Sequence, residues 1–549
     1  MNPELRTQKS LFDYSIIFTL FFMGLFGQPD QRFRAFDWVV YRDPGKITSI
    51  SEGYSYTYFG SSNGGIYRYH QNGQYFDDPI TMAQGLESYT VYAVHFDQNT
   101  GILWAGLPEM LQYTYTRDGN WSTISFSDLG LSFNDRIKAI GASANYLWIK
   151  AKAIYIKCDH STGTVLGMFP FPDEGNIQWG SEYGINIKYA EKIFMDYSVM
   201  SGWMLTGQYF IDSHGRNVSI TSYYLGQYND FWVGGSDGTI FHGEPNMEVF
   251  FPYSIGPLGS NFSTLDKMDK EMWLGGLNHM NTGGITRLLT QSLEFDHFES
   301  DITINMHPMD INDILNLDDE VWFAGSQGIQ LYDKDDNYWR YLGEERGIPS
   351  GNLVTLASNK THIWVGGPNG LSRLSRKTRR EDPSGIEDIF KFQNVRQLLF
   401  VDEDLWIATP NELIIFNTIS PELRSFRKKG TFSLDGPFIG FRQICFDDNY
   451  LYVSTNQGIL SYDYENGTWT KIIDASVYGG RTIQSMAISG EKCFLGFYDE
   501  LLRIDMNNSF QKKYDFPFMG MVKDLYISGR VIWLATTEGL IKFKWSVDR

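Results

Sequence analysis

Cysteine is almost missing from this 549-residue sequence: Cys158, Cys445 and Cys493 are the only three. Each lies in a strand-like apolar run, outside any CxxC pair and away from clustered histidines. That excludes a disulfide framework or a zinc site and leaves three small hydrophobes for the core. Positive charge is also short, with 46 Lys and Arg against 65 Asp and Glu and a formal net charge of −19. A nucleic-acid binder gains affinity by neutralising phosphates, which this balance opposes, so no nucleic-acid partner is expected. Beyond the N-terminus no segment is apolar over the ~20 residues that a spanning helix needs. The nine histidines are scattered, and no HExxH, Walker or dinucleotide-binding pattern occurs. The expectation is a protein that is not an enzyme, with no cofactor and no metal site.

What the sequence has in quantity is aromatic residues (16%) and glycine (54 residues), a pairing that favours strands and tight turns over helices. Its first residues have a separate character. Arg6 and Lys9 precede Tyr14-Ser-Ile-Ile-Phe-Thr-Leu-Phe-Phe-Met-Gly-Leu-Phe26, then Gly27, Gln28 and Pro29. A basic start, a short apolar run and a small residue before polar sequence read as an export signal over residues 1–27. Leu25 and Gly27 stand where a pair of alanines is favoured, so cleavage and retention as a membrane anchor both fit. No cysteine follows for lipid attachment. The expected location is extracytoplasmic: periplasmic, cell-surface or secreted.

One pattern recurs through the rest. It is an apolar strand, an Asp/Asn/Gly turn, an aromatic-centred strand, a Gly turn and a further strand carrying Tyr or Phe. Clear copies are Glu320-Val-Trp-Phe-Ala-Gly-Ser-Gln-Gly-Ile-Gln-Leu-Tyr332 and His362-Ile-Trp-Val-Gly-Gly-Pro-Asn-Gly-Leu-Ser-Arg-Leu374. Phe231-Trp-Val-Gly-Gly-Ser-Asp-Gly-Thr-Ile-Phe241 and Ile532-Trp-Leu-Ala-Thr-Thr-Glu-Gly-Leu-Ile-Lys-Phe543 are close to them. The aromatic falls at Tyr58, Trp104, Trp148, Trp232, Trp273, Trp322, Trp364, Trp406, Tyr452, Phe494 and Trp533. Most intervals lie between 39 and 49 residues; the 84 from Trp148 to Trp232 leave room for a degenerate copy around Lys192–Asp196. Four short strands per ~40–50 residues is the spacing of a propeller blade. A large ring at each strand centre belongs between neighbouring twisted sheets.

The fold class expected is therefore all-β: two tandem β-propellers of four-stranded antiparallel blades, about twelve in total, since one ring holds ~4–8. A lone strand opens the mature chain at Phe36–Tyr41 and a similar one lies midway at Leu293–Phe298. If each closes its own ring, leaving no free edge, residues 28–291 form the first propeller and 292–549 the second. Six blades in each then follow, with five plus seven as the alternative split.

The pattern "Leu/Val-Trp-Ile/Val/Phe-Gly/Ala-Gly/Thr-x-x-Gly-Leu/Ile" resembles the two-component regulator propeller repeat, over nearly all of residues 36–545. The resemblance implies the extracytoplasmic sensor propellers of bacterial hybrid two-component systems, many of which recognise glycan fragments. The kinase part, and the β-sandwich and membrane span that precede it in those sensors, do not follow here. Surface proteins of secretion machineries share the repeat, with a C-terminal sorting domain that this sequence does not show. What the resemblance implies is thus recognition without transmission.

Three stretches invite a site. Asp333-Lys-Asp335-Asp-Asn337 with Glu344 matches several calcium-loop positions, but Tyr338 stands where a sharp bend needs Gly, and the blade register makes the stretch a turn. The basic cluster Arg373, Arg376, Lys377, Arg379 and Arg380 reads as a solvated loop or as a docking patch for an acidic glycan or protein. The aromatic-rich interval 165–230 departs most from the repeat, and irregular loops on a regular scaffold often carry binding. No single ligand-binding residue is assigned by these signals. The functional expectation is a non-catalytic binding protein for a glycan, peptide or envelope protein. The alternatives are a scaffold in a cell-surface or secretion assembly, and a propeller lyase or hydrolase with an axial site.

Overall fold

A computed structural model describes residues 33–115, 119–181, 197–207, 209–226, 231–277, 284–426 and 438–548. Among them the chain is a succession of antiparallel sheets, most with four strands in simple meander order. Each aromatic of the repeat lies on the second strand of its sheet and is buried, Trp104, Trp148, Trp273, Trp322, Trp364 and Trp406 completely. Asp, Asn and Gly supply the turns between strands, as Asn337 (φ 50°) does before Tyr338–Leu342.

The rings are readable from where each aromatic packs. Trp322 joins the cluster of Ile363, Val365 and Leu374 in the next sheet, and Trp364 joins Leu398, Leu405 and Ile407. Trp406 meets Ile444 and Leu451, Tyr452 meets Met486 and Leu495, and Phe494 meets Val522 and Leu534. Trp533 then returns to Phe262, Leu265 and Leu274, which closes a ring of seven blades whose first strands begin at Phe262, Ile311, Thr355, Gln397, Ile444, Ser485 and Val522. In the other ring Tyr58 packs against Val94 and Leu103, Trp104 against Ile140 and Leu147, and Trp232 returns to Ile47 and Phe59. Four blades of that ring are described; the expected remnant at Lys192–Asp196 lies outside the described residues.

Ring closure differs from the sequence expectation. Trp38–Tyr41 pairs with Leu540–Phe543, so the opening strand completes the last blade of the second ring. The midway strand, Glu294–Glu299, pairs with Gly284–Leu289 as the fourth strand of its own blade. A boundary between residues 291 and 292 therefore cuts through one sheet. The physical reason is that Trp38 stacks on Phe543 at 3.6 Å, filling the edge that the last blade leaves open. The second ring has seven blades, the number in the five-plus-seven alternative and not that in six plus six, and the first is threaded between its closing strand and its body.

The first strands line the ring interiors, and their free edges are satisfied by side chains from the blade before. The amide N–H of Val94 donates to Ser49 Oγ, that of Leu265 to Asp524 Oδ2, that of Leu356 to Asp313 Oδ2 and that of Leu398 to Thr355 Oγ1. Register shifts at Ser49, Thr264, Asp313 and Asp524 are bulges that re-aim these residues.

One blade is incomplete. Thr355–Ser358, His362–Gly367 and Gly370–Ser375 form a sheet of three strands. In place of a fourth strand come the basic turn at 376–380, a single bridge from Leu374 to Glu381, and the short helix Glu387–Phe390.

Candidate ligand-binding site

A groove of about 550 Å³ opens beside this incomplete blade, between the outer strand Tyr338–Leu342 of the preceding blade and the turn at 377–379. Its walls carry Arg340, Arg346, Lys377 and Arg379, together with Asn305, His307, Tyr338 and Tyr341. Four cations in one groove stand out on a chain of net charge −19.

The basic cluster seen in the sequence divides here into two groups. Arg373 lies opposite Trp364 in the hairpin, its guanidinium 5.6 Å from the ring centre, and it donates to the carbonyls of Asp382 and Pro383. Arg376 pairs with Asp319 at 2.6 Å, and Arg379 with Glu320 at 2.7 Å and Asp333 at 3.5 Å. These three tie the turn to its own blade and to the preceding one. Lys377 and Arg380 are exposed, and Lys377 faces the groove.

On the opposite wall Arg340 and Arg346 come from the strand and turn that follow Asp333–Asn337. That stretch is the turn between third and fourth strands, with Asp333 engaged by Arg379. The imidazole of His307 stacks on Tyr341 with centroids 4.0 Å apart, and Asn305 Nδ2 donates to the Tyr338 hydroxyl at 2.5 Å. Burial, followed by Glu345 and Glu344, pushes the Tyr341 hydroxyl above its ordinary pKa, so it stays a neutral donor, bonded to the Gln327 carbonyl.

The described parts of the interval 165–230 present a different surface. Leu166 and Met168 project from the outer strand Val165–Phe169, with exposures of 56% and 45%, and Phe171 follows at 76%. Trp203, Asp212, His214 and Arg216 line a cleft of about 400 Å³ whose far side is Phe295, His297 and Glu299 of the second ring. Arg216 spans it, bonded to Asp212 at 2.7 Å and Glu299 at 2.9 Å.

Carboxylates do gather toward the interior of the second ring, at Asp266, Asp313 and Asp524. Each is already engaged: Asp266 accepts from Asn316 N–H, Asp313 from Leu356 N–H, and Asp524 from Leu265 N–H and Thr264 Oγ1. Burial raises the pKa of all three, to about 6 for Asp266 and Asp524. Ser49 and Thr355 do the same work at equivalent places, which marks the position as a clamp between blades. Among the described residues no group of three or more His, Cys, Asp or Glu is placed to hold a metal ion. No helix among them is long and apolar enough to cross a membrane.

No protein-family model matches the chain, and no curated protein matches it. Solved structures do resemble it at low identity. The extracellular domain of the hybrid two-component system BT4673 from B. thetaiotaomicron aligns over 90% of this chain and 70% of its own, at 14% identity and a TM-score of 0.42. The corresponding domain of BT3049 from the same organism covers 91% of this chain and 75% of its own, at 14% identity and 0.41. PorZ, a surface component of the type-IX secretion system of Porphyromonas gingivalis, covers 91% and 73%, at 12% identity and 0.44.

Proposed function

We propose that this chain is an exported, non-catalytic β-propeller binding protein that takes an anionic ligand (a glycan, a peptide or an envelope protein) at the edge of its second ring. The observation that carries this reading is the cationic groove beside the three-stranded blade. A surface with this much negative charge repels anions on average, so a pocket that concentrates Arg and Lys is built against the background field. Residues 1–27, with their basic start and 13-residue apolar run, support export. Every inner-strand carboxylate discussed above is held by a neighbouring backbone, which supports a structural over a catalytic use. A scaffold role is favoured by a separate observation, the exposed apolar edge at Leu166, Met168 and Phe171, since an outer strand of that kind invites a protein partner.

A thermal-shift panel of acidic and neutral oligosaccharides, peptidoglycan fragments and peptides tests the binding reading. A ligand that binds only the folded state raises the melting temperature by mass action. The expected result is a rise with at least one anionic class. A flat response across the panel contradicts small-ligand binding and leaves the scaffold role.

A further inference from the structure

We infer that the groove between Tyr338–Leu342 and residues 377–379 is a subsite for a carboxylated sugar, its carboxylate held by Arg340, Arg346 and Lys377 and its ring laid against Tyr338. This rests on the binding reading above and narrows it to one ligand chemistry.

Unmet hydrogen-bonding capacity comes first. The Nε atoms of Arg340, Arg346 and Arg379 are all buried with no hydrogen-bond partner among the described residues, and all three side chains line this one groove. Buried donors are normally paired, so three orphans lining one groove call for an acceptor from outside the chain.

Charge gives the same direction. Arg379 is committed to Glu320 and Asp333. Arg346 has only a loose contact with Glu345, at 3.8 Å, and that carboxylate is 65% exposed. Among the described residues no carboxylate pairs with Arg340 or Lys377. Glu344, Glu345 and Glu381, which flank Arg346, are exposed and are screened by solvent. The terminal nitrogens of a guanidinium match the two oxygens of a planar carboxylate.

The aromatic wall selects among anions. Tyr338 is 43% exposed, its hydroxyl is fixed by Asn305, and the Arg340 guanidinium lies 5.3 Å from its ring centre. A fixed, half-open ring beside the cations suits the C–H face of a sugar. Inorganic phosphate would use the cations and leave the ring idle, and a neutral sugar would use the ring and leave the guanidiniums unpaired. The volume, about 550 Å³, falls in the ~300–1,000 Å³ range of small-ligand sites.

Isothermal titration of the purified chain with tetragalacturonate, an oligoglucuronate and an oligosialate tests the assignment. The expected result is binding of at least one, weakened about tenfold or more by Arg340→Gln and by Lys377→Gln, and weakened again by raised salt. Among the described residues neither side chain makes an ion pair, so unchanged melting temperatures will show that both variants fold. Tyr338→Ala should weaken binding while leaving its salt dependence intact. The assignment is overturned if all three probes are silent, if the variants bind as the parent does, or if sulfated oligosaccharides or phosphate compete as well as the carboxylated ones. Such a result leaves the wider binding reading standing, because that reading falls only when the whole thermal-shift panel is flat.

Discussion

Most repeat aromatics have a basic side chain across the hairpin, although Trp104, Trp322, Trp406 and Tyr452 face Tyr113, Leu331, Ile415 and Ser461. Arg68 faces Tyr58, Lys157 faces Trp148, His242 faces Trp232, Arg287 faces Trp273, Arg503 faces Phe494 and Lys542 faces Trp533. A cation laid over the aromatic column adds attraction beyond the buried area. The aromatics were legible in the sequence because a single spacing repeats, whereas the cations become visible only when hairpin register is known. Trp322→Ala removes a fully buried ring and should cost about 3–5 kcal/mol, read as a lower denaturant midpoint. A cost below 1 kcal/mol would contradict its place between blades.

Titration at single residues also has a sign. Burial raises the carboxyl groups of Asp266 and Asp524 from an ordinary 3.8 to about 6. The native state then holds more protons than the unfolded chain between those values. Their contribution is full below the unfolded pKa and is lost as pH rises through about 6. His95 works in the other direction: burial lowers it from 6.5 to about 4, so its contribution is present above 6.5 and is lost as pH falls toward 4. Melting curves between pH 4 and 7 should therefore change slope in opposite senses in Asp524→Asn and His95→Gln. Parallel curves for parent and both variants would contradict these environments.

At the scale of elements, the blade pattern was readable but strand ownership was not. A lone strand at Phe36–Tyr41 looks the same whether it completes the first blade or the last, because period and apolar alternation do not say which edge it meets. Stacking of Trp38 on Phe543 decides it. Likewise, the basic run at 373–380 signals an irregularity, but that it replaces a fourth strand is a consequence of Arg376 and Arg379 being drawn to Asp319, Glu320 and Asp333. Arg340, Arg346 and the Tyr338 ring were missed as site residues, since they lie ~30–40 residues from the cluster and meet it only through neighbouring blades. A chain shortened to begin at residue 44 should lose closure of the second ring, exposing the edge of Leu540–Phe543. Size-exclusion chromatography should show association in place of a sharp monomer peak. A well-behaved monomer would contradict closure by Trp38–Tyr41.

Across the whole molecule, the closing strand also joins the rings. Lys542 of the second ring reaches Asp78 of the first at 3.1 Å, and the Tyr41 hydroxyl donates to the same carboxylate. Arg42 connects Glu538 to Asn63, and Arg216 connects Asp212 to Glu299. Threading of the first ring between closing strand and body means that the second ring closes only with a strand that lies beyond the whole first ring in the chain. Calorimetry should show one unfolding transition, and Asp78→Asn combined with Glu299→Gln should begin to separate two. Two transitions in the parent chain would contradict this coupling.

The groove beside the incomplete blade carries the functional account, and hydrogen–deuterium exchange with and without a saturating acidic oligosaccharide tests it most directly. Slowed exchange confined to residues 338–346 and 376–380 is expected, and so is its absence in Arg340→Gln. Protection at 165–169 or in the cleft between the rings, with 338–346 unchanged, would contradict it.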